Sequence, residues 1–272
     1  MYRAIRLVDR VTDSILLLFF LLLFLIGGYT MYDTLLIYDA ASGEDLRSFR
    51  PVAAVDGEEG FVWDMNALSE DVVAWLTVDD TNIDYPVMQG IDNSEYLNKD
   101  PFGEFSLSGS IFLDARNTPD FTDPYSLIYG HHMEYGQMFG ALDEFLDQEY
   151  FDAHRVATLT VDDTAYRIEF FACIEADATV PEIFAPTEAE GTLEYVRENA
   201  SIWYDPMGED EIEAEAKIGA TPRVTPAPTP GAIAGMGDET EIEPERLIAL
   251  STCKFPQTTA RIIVFGVLKD EE

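Results

Sequence analysis

Two apolar runs near the C-terminus decide the fold: LIALSTC at residues 247–253 and ARIIVF at residues 260–265. Both are rich in branched residues, and the short segment between them contains Pro256, so we predict two adjacent β-strands joined by a turn. This pairing would place Cys253 at the end of one strand and Arg261 at the start of the next. A thiolate needs a base to form, and its acyl chemistry needs a donor for the developing oxyanion. The pattern therefore predicts Cys253 as a nucleophile and Arg261 as the oxyanion donor.

A candidate base lies in the run IYGHHM at residues 128–133. The chain has three histidines, and His154, between an alanine and an arginine, is predicted to lie on the surface. His131 and His132 remain as candidates, and the residues alone do not separate them.

The second cysteine, Cys173, lies in the apolar run FFACI at residues 170–174 and is predicted to be a buried structural thiol. A disulfide between Cys173 and Cys253 is the alternative in an oxidising compartment, and it would silence the nucleophile.

The LSTC run, the arginine eight residues after it and the upstream Tyr-Gly-His-x-Met pattern resemble the sortases, which are membrane-anchored cysteine transpeptidases. Four further segments resemble class B members of that family: DVVAWLTV at 71–78, TNIDYPV at 81–87, GSIFLD at 109–114 and MFGAL at 138–142. The resemblance covers roughly residues 66–268, apart from one insertion.

The resemblance implies a mechanism. The Cys253 thiolate attacks the carbonyl after the threonine of a sorting signal, His131 protonates the leaving amine, and Arg261 stabilises the oxyanion. The family commonly has asparagine where this chain has His132. The resemblance also implies a set of residues that bind substrate: Asn93, Leu97, Ser251 and Thr252.

The implied partners are secreted proteins with a C-terminal sorting signal and an amine from a cell-wall precursor or a pilin. We expect no cofactor and no metal, because the histidines and cysteines lack the spacing of metal ligands. Two alternatives stay open: a cysteine peptidase with water as the acceptor, and a catalytically silent surface-binding module.

The charge of the chain is strongly negative, with 52 acidic and 16 basic residues and a net charge of −36. Binding to DNA or RNA is not expected, because phosphate contacts need a basic face. The acidity serves solubility or attracts cationic partners such as an amine nucleophile.

The N-terminus has the composition of a membrane anchor. Residues 14–32 form a run of 19 without a charge, close to the ~20 needed to cross a bilayer. Arg3, Arg6 and Arg10 precede it, so the positive-inside rule predicts a cytoplasmic N-terminus and an extracellular remainder. A cleaved signal peptide is the rival interpretation, but Ala40-Ala41 is a poor and distant cleavage site.

Many short strands with turns and few helices favour a closed β-barrel over a parallel α/β sheet. The resemblance implies the sortase-type barrel of eight strands with peripheral helices, so we predict a mainly β catalytic domain of this form behind one transmembrane helix. The predicted boundaries are 1–13 for the cytoplasmic N-terminus, 14–34 for the transmembrane helix, 35–65 for a spacer, 66–269 for the domain and 270–272 for an acidic tail.

Within the domain, Ser69 is predicted to cap a first helix with Val72, Val73 and Trp75 on its apolar side. β-Hairpins are predicted around residues 79–82 and 162–164. A later helix is predicted over residues 187–200.

An insertion at residues 205–246 holds six prolines and a net charge of −8. Its composition predicts a mobile segment, either a neutral insertion or a flap near the substrate groove.

Overall fold

The computed structural model describes residues 2–53, 61–62, 68–186, 189–205, 246–253 and 259–270. The helices are α1 (Tyr2–Ala41), α2 (Gln148–Ala153), α3 (Pro181–Phe184) and α4 (Ala189–Asn199). Short 3₁₀ turns lie at Arg47–Phe49, Glu95–Leu97, Glu134–Gly136 and Gly140–Leu146. The strands are β1 (Val52–Ala53), β2 (Phe61–Val62), β3 (Val72–Val78), β4 (Asp84–Met88), β5 (Ile111–Leu113), β6 (Tyr125–Gly130), β7 (Val156–Val161), β8 (Thr164–Asp177), β9 (Ile202–Trp203), β10 (Arg246–Cys253) and β11 (Ala260–Asp270).

Eight of these strands form a closed barrel in the order β11-β10-β6-β5-β4-β3-β7-β8, and β8 returns to pair with β11. The pairs β10–β6 and β4–β5 are parallel, whereas the other neighbours are antiparallel. Closure leaves no open sheet edge between these strands. The predicted mainly β, eight-stranded barrel is confirmed.

The central strand β10 is buried on both faces, which explains its continuous apolar sequence. Ile248 and Leu250 join the large core that includes the barrel interior. Leu247 and Ala249 point the other way, into a second apolar layer that packs against α3 and α4. Because side chains alternate along a strand, successive residues of β10 pack into two different apolar cores.

The predicted helix after Ser69 is wrong, because residues 72–78 form strand β3. This strand pairs with both β4 and β7, and its last five residues are buried. Ser69 closes only a local turn, in which its hydroxyl accepts the backbone N–H of Asp71 at 3.4 Å. Pairing on both sides of a strand rich in valine outweighs the local signal of a helix start.

The N-terminal helix α1 continues beyond the predicted transmembrane helix and ends at Ala41. Its segment Asp9–Ala41 is long and apolar enough to cross a membrane, and an 18-residue stretch within it has a mean hydropathy of 2.4. The end of the helix packs onto the domain, because Ala41 is fully buried and its carbonyl oxygen accepts the Tyr85 hydroxyl at 2.8 Å. The same hydroxyl oxygen accepts the backbone N–H of Met138 at 3.1 Å.

The predicted hairpin turns are confirmed, since β3 pairs with β4 and β7 pairs with β8. Helix α4 is also confirmed, with Val196 fully buried on its apolar face.

Of the predicted insertion, residues 206–245 lie outside the described residues, and its last residue, Arg246, instead begins β10. Arg246 pairs with Leu268 and forms an ion pair with Asp270 at 2.7 Å. The predicted domain boundaries stay predictions.

Candidate active site

Three neighbouring strands bring the predicted catalytic residues to one end of the barrel. In the parallel pair β6–β10, Thr252 lies opposite Gly130, so the chain reaches His131 and Cys253 at the same edge. In the antiparallel pair β10–β11, Cys253 lies directly opposite Arg261. The backbone of Cys253 ends β10, while its side chain lies outside the described part of the structure.

A glycine before His131 is required by packing. A Cβ atom on Gly130 would lie 2.5 Å from Ile111 Cδ1 and 2.7 Å from the Phe139 ring, closer than carbon atoms approach. Only a residue without a side chain lets β6 end this close to its neighbours.

Two hydrogen bonds fix His131. Its Nε2 atom lies 2.8 Å from the carbonyl oxygen of Leu97, and its own carbonyl oxygen accepts the N–H of Phe139 at 3.0 Å. Because a carbonyl oxygen only accepts, Nε2 carries the proton in this contact, and Nδ1 is the ring nitrogen that does not face Leu97. Leu97 thus orients the imidazole through its backbone.

The second histidine lies in a different environment. His132 Nε2 is 2.8 Å from Asp143 Oδ2, and both residues line a separate surface depression with Tyr135 and Glu144. The structure therefore separates the two histidines, and only His131 lies in the cavity next to Arg261.

This cavity has a volume of about 310 Å³ and crosses the end of the barrel. Six of the seven residues predicted for catalysis or substrate binding line it, the seventh being Cys253, whose side chain is not described. The lining residues are Asn93, Leu97, Phe112, Arg116, Tyr129, Gly130, His131, Ala178, Phe184, Ser251, Thr252 and Arg261.

Ser251 and Thr252 present buried hydroxyl groups at this cavity. Each residue is 1% exposed, and neither hydroxyl has a hydrogen-bond partner among the residues that the structure describes. An unpaired buried hydroxyl costs free energy that a bound polar ligand recovers.

Asn93 lines the cavity but is also engaged within the protein. Its Nδ2 donates to Asp114 Oδ2 at 2.9 Å, and its Oδ1 accepts the backbone N–H of Ala115 at 2.7 Å. The predicted substrate-binding residue therefore also holds together two loops of the domain.

The sequence reasoning missed Arg116, Tyr129 and Phe184, all of which line the cavity. The Tyr129 hydroxyl donates to Asp114 at 3.0 Å, and its ring stacks on that of Phe184 with centroids 6.5 Å apart. Burial and the nearby Asp114 carboxylate raise the pKa of Tyr129, so the hydroxyl keeps its proton. The sequence feature that could have indicated Arg116 is its position two residues after Asp114, an aspartate at the end of a predicted strand, where the two side chains can pair.

The other thiol is remote from this chemistry. Cys173 is a free cysteine with no exposed surface, and burial raises its pKa to about 12. The prediction of a structural thiol is confirmed, and the alternative of a disulfide to Cys253 is wrong. Among the described residues, no group of three or more histidine, cysteine, aspartate or glutamate side chains converges on a possible metal ion.

Comparisons with known proteins agree with this geometry. Residues 76–269 match the family model of the sortase domain. The chain is 39% identical over 132 residues to Sortase B of Listeria monocytogenes, an alignment that covers 48% of this chain and 53% of the relative. It therefore spans about half the length of that protein. It is 26% identical over 202 residues to Sortase B of Staphylococcus aureus, covering 74% of this chain and 71% of the relative.

A solved class B sortase of Streptococcus pyogenes, described as involved in pilus biogenesis, superposes with a TM-score of 0.57 at 34% identity. The superposition covers 76% of this chain and 96% of that one. A matched family model over most of the chain, the closed barrel and these class B neighbours lead to one conclusion: the chain belongs to the sortase family of cysteine transpeptidases.

Proposed function

We propose that the chain is a membrane-anchored transpeptidase that cleaves a sorting signal on secreted proteins and joins the new carbonyl end to an amine. The observation that carries this proposal is the strand register, which brings His131, Cys253 and Arg261 to one edge of β6, β10 and β11. The cavity at that edge gives an extended peptide a place to lie.

In the first half of the reaction, the Cys253 thiolate attacks the carbonyl carbon of the substrate threonine. Arg261 donates hydrogen bonds to the oxyanion that forms. The C–N bond then breaks, and the doubly protonated His131 gives the proton on Nδ1 to the leaving amine, while Nε2 keeps its proton towards Leu97. The product is a thioester on Cys253.

In the second half, the acceptor amine attacks the thioester carbonyl and loses a proton to His131. The new amide leaves, and the Cys253 thiolate is restored. Both halves exchange an acyl group without a change of oxidation state, so the cycle needs no cofactor. Two reversible acyl transfers conserve the energy of the amide, which direct hydrolysis would lose.

The acceptor amine belongs to a cell-wall precursor or to a pilin. A pilus role is one of the two options because the Streptococcus pyogenes neighbour is described as involved in pilus biogenesis. The anchor is α1, with its N-terminus in the cytoplasm and the barrel outside, as the arginines before the apolar run indicate.

The test is mass spectrometry of the products formed by the full-length chain in detergent. Threonine-containing sorting peptides are incubated with and without candidate amines such as a glycine oligomer and a lysine peptide. We expect an amide between the threonine and the amine. Hydrolysis at the same rate regardless of added amine would instead favour a peptidase, and no cleavage or acyl-enzyme with any peptide would favour a silent binding module.

A further inference from the structure

One completely buried carboxylate contacts several residues that line the cavity described above, which is called the groove from here on. Asp114 follows β5 and its side chain has 0% exposed surface. Its Oδ1 accepts from Arg116 Nε at 2.8 Å and from the Arg116 backbone N–H at 3.0 Å. Its Oδ2 accepts from Arg116 Nη2 at 2.7 Å, from Asn93 Nδ2 and from the Tyr129 hydroxyl. A buried carboxylate is stable only when it is paired and fully hydrogen-bonded, as here.

The three side chains that donate to this carboxylate all line the groove. Asn93 precedes the turn whose Leu97 carbonyl oxygen contacts His131, Arg116 follows β5, and Tyr129 lies on β6. They come from three separate parts of the chain, so a shared partner is what fixes their relative positions. Asp114 is that partner.

Arg116 connects this cluster to helix α3. Its Nη2 atom also donates to the carbonyl oxygen of Phe184 at 2.8 Å. Phe184 is the last residue of α3, a helix of only four residues. A helix this short has little stability of its own, so its position depends on such contacts. The side chain of Arg116 remains 50% exposed while it makes them.

Burial tends to raise the pKa of Asp114, but the hydrogen bonds from Arg116 and Asn93 outweigh it and hold the pKa below its ordinary value. The carboxylate is therefore charged throughout the range in which a thiolate and an imidazole operate. Its interactions with the groove residues do not change there.

We propose that Asp114 is a positioning residue for the substrate groove and that Arg116 transmits its position to α3, so that the pair sets the affinity for the sorting peptide. This inference rests on the transpeptidase function proposed above and assigns the pair no part in the acyl transfer itself. The expected signature is a change in KM with kcat retained.

Asp114→Asn tests the carboxylate, and Asp84→Asn is its matched control. Asp84 is also a largely buried carboxylate, 16% exposed, and it accepts from Trp75 Nε1 at 2.8 Å and Thr77 Oγ1 at 3.0 Å. None of these three residues lines the groove. Both variants remove one charge from a hydrogen-bonded carboxylate of the barrel. A change in KM that occurs in Asp114→Asn but not in Asp84→Asn therefore reflects the geometry of the groove and not a general loss of stability.

The substrate probe is the best-cleaved member of a fluorogenic heptapeptide library with a fixed central threonine, assayed with the full-length chain. Losing one charge-assisted contact should raise KM about tenfold in Asp114→Asn, while kcat stays within about twofold. Asp84→Asn should keep the wild-type KM. An unchanged KM in Asp114→Asn, or a loss confined to kcat, would overturn the assignment.

Arg116→Lys is a second test of the same contacts, for use if Asp114→Asn does not fold. It keeps the charge at a half-exposed position but loses the planar fork that joins Asp114 to Phe184. We expect a raised KM with a melting temperature no lower than that of Asp114→Asn, because the positive charge beside Asp114 is kept.

Hydrogen exchange gives a readout that needs no substrate. The amides of residues 182–185 should exchange faster in Asp114→Asn and Arg116→Lys than in the wild type or Asp84→Asn. If the wild type cleaves no peptide, the proposed function fails, while exchange still decides whether the pair holds α3. Unaltered exchange in both groove variants would refute that role.

Discussion

The Nε2 atom of His131 lies 2.8 Å from the carbonyl oxygen of Leu97. This contact fixes which ring nitrogen faces the protein and leaves Nδ1 for the reacting groups. It also joins the end of β6 to the 3₁₀ turn at Glu95–Leu97, so the position of the His131 ring depends on the position of that turn.

The first prediction concerns the two histidines. His131→Ala should lower kcat/KM on a threonine-containing peptide by roughly 10²–10⁴-fold, the contribution of a positioned acid–base group. His132→Asn is the matched control, and it should have a mild effect because His132 contacts Asp143 outside the groove. The reverse ranking in steady-state assays would move the role to His132.

The second prediction concerns the two thiols. Iodoacetamide at neutral pH should attach one label per native chain, at Cys253, because burial and a pKa of about 12 keep Cys173 unreactive. Cys253→Ala should take up no label, form no acyl-enzyme and make no product, while its melting temperature is unchanged. Peptide mapping by mass spectrometry locates the label, and transpeptidation by Cys253→Ala would contradict the mechanism.

The third prediction is a pH dependence of stability. The pKa of Asp114 is lower in the folded chain than the value of about 3.9 for an unfolded aspartate, so its charge stabilises the fold above that value. This stabilisation is lost as the pH falls through the folded pKa. Melting temperatures measured from pH 7 to pH 3 should therefore fall more steeply for the wild type than for Asp114→Asn, which is already destabilised by about 1–3 kcal/mol at pH 7. Parallel curves would contradict this.

The fourth prediction concerns the acidic, proline-rich insertion. Replacing residues 206–245 with a short Gly/Ser linker should leave stability nearly unchanged, because closure entropy varies only with the logarithm of loop length. Acylation by a minimal peptide should also survive. If the negative charge of the segment gathers cationic amines, its removal slows the second step alone, and added salt reduces the difference. A salt-insensitive loss of acylation would mean that the segment forms part of the groove.

The fifth prediction concerns membrane topology. Three arginines precede the uncharged run, so protease added to intact protoplasts should digest the barrel and spare the N-terminus. Immunoblots against tags at both ends provide the measurement. Full protection of the barrel, or release of a shortened soluble form, would contradict an uncleaved anchor with an extracellular domain.

Sequence alone predicted the parts of the fold that rest on local signals. The branched runs of β10 and β11 and the turn residues of the hairpins at 79–82 and 162–164 were sufficient, because strand pattern and turn chemistry agree there. The predicted helix at Ser69 failed because β3 is specified by pairing with β4 and β7, which a local window does not contain. The pairing of β8 with β11 likewise joins residues about a hundred positions apart.

Some residues of the candidate site could likewise be predicted from the sequence, whereas others could not. Cys253, His131 and Arg261 have side chains whose chemistry marks them in the sequence. The carbonyl oxygen of Leu97 carries no such mark, since every residue has one, and it gains its importance only from lying beside His131. The roles of Asp114 and Arg116 depend on a cluster assembled from three parts of the chain, which spacing does not reveal.

Because α1 is continuous down to the buried Ala41, it holds the domain at a fixed distance from the uncharged run. From residue 33 to residue 41 the helix rises about 13 Å beyond its uncharged run, at about 1.5 Å per residue. The Tyr85 hydroxyl then bridges the last turn to Met138, in the segment that follows His131. If the uncharged run crosses a bilayer, as proposed above, this stretch of helix sets the distance between the lipid and the groove, and a substrate held in the same membrane would have to carry its cleavage point at that distance.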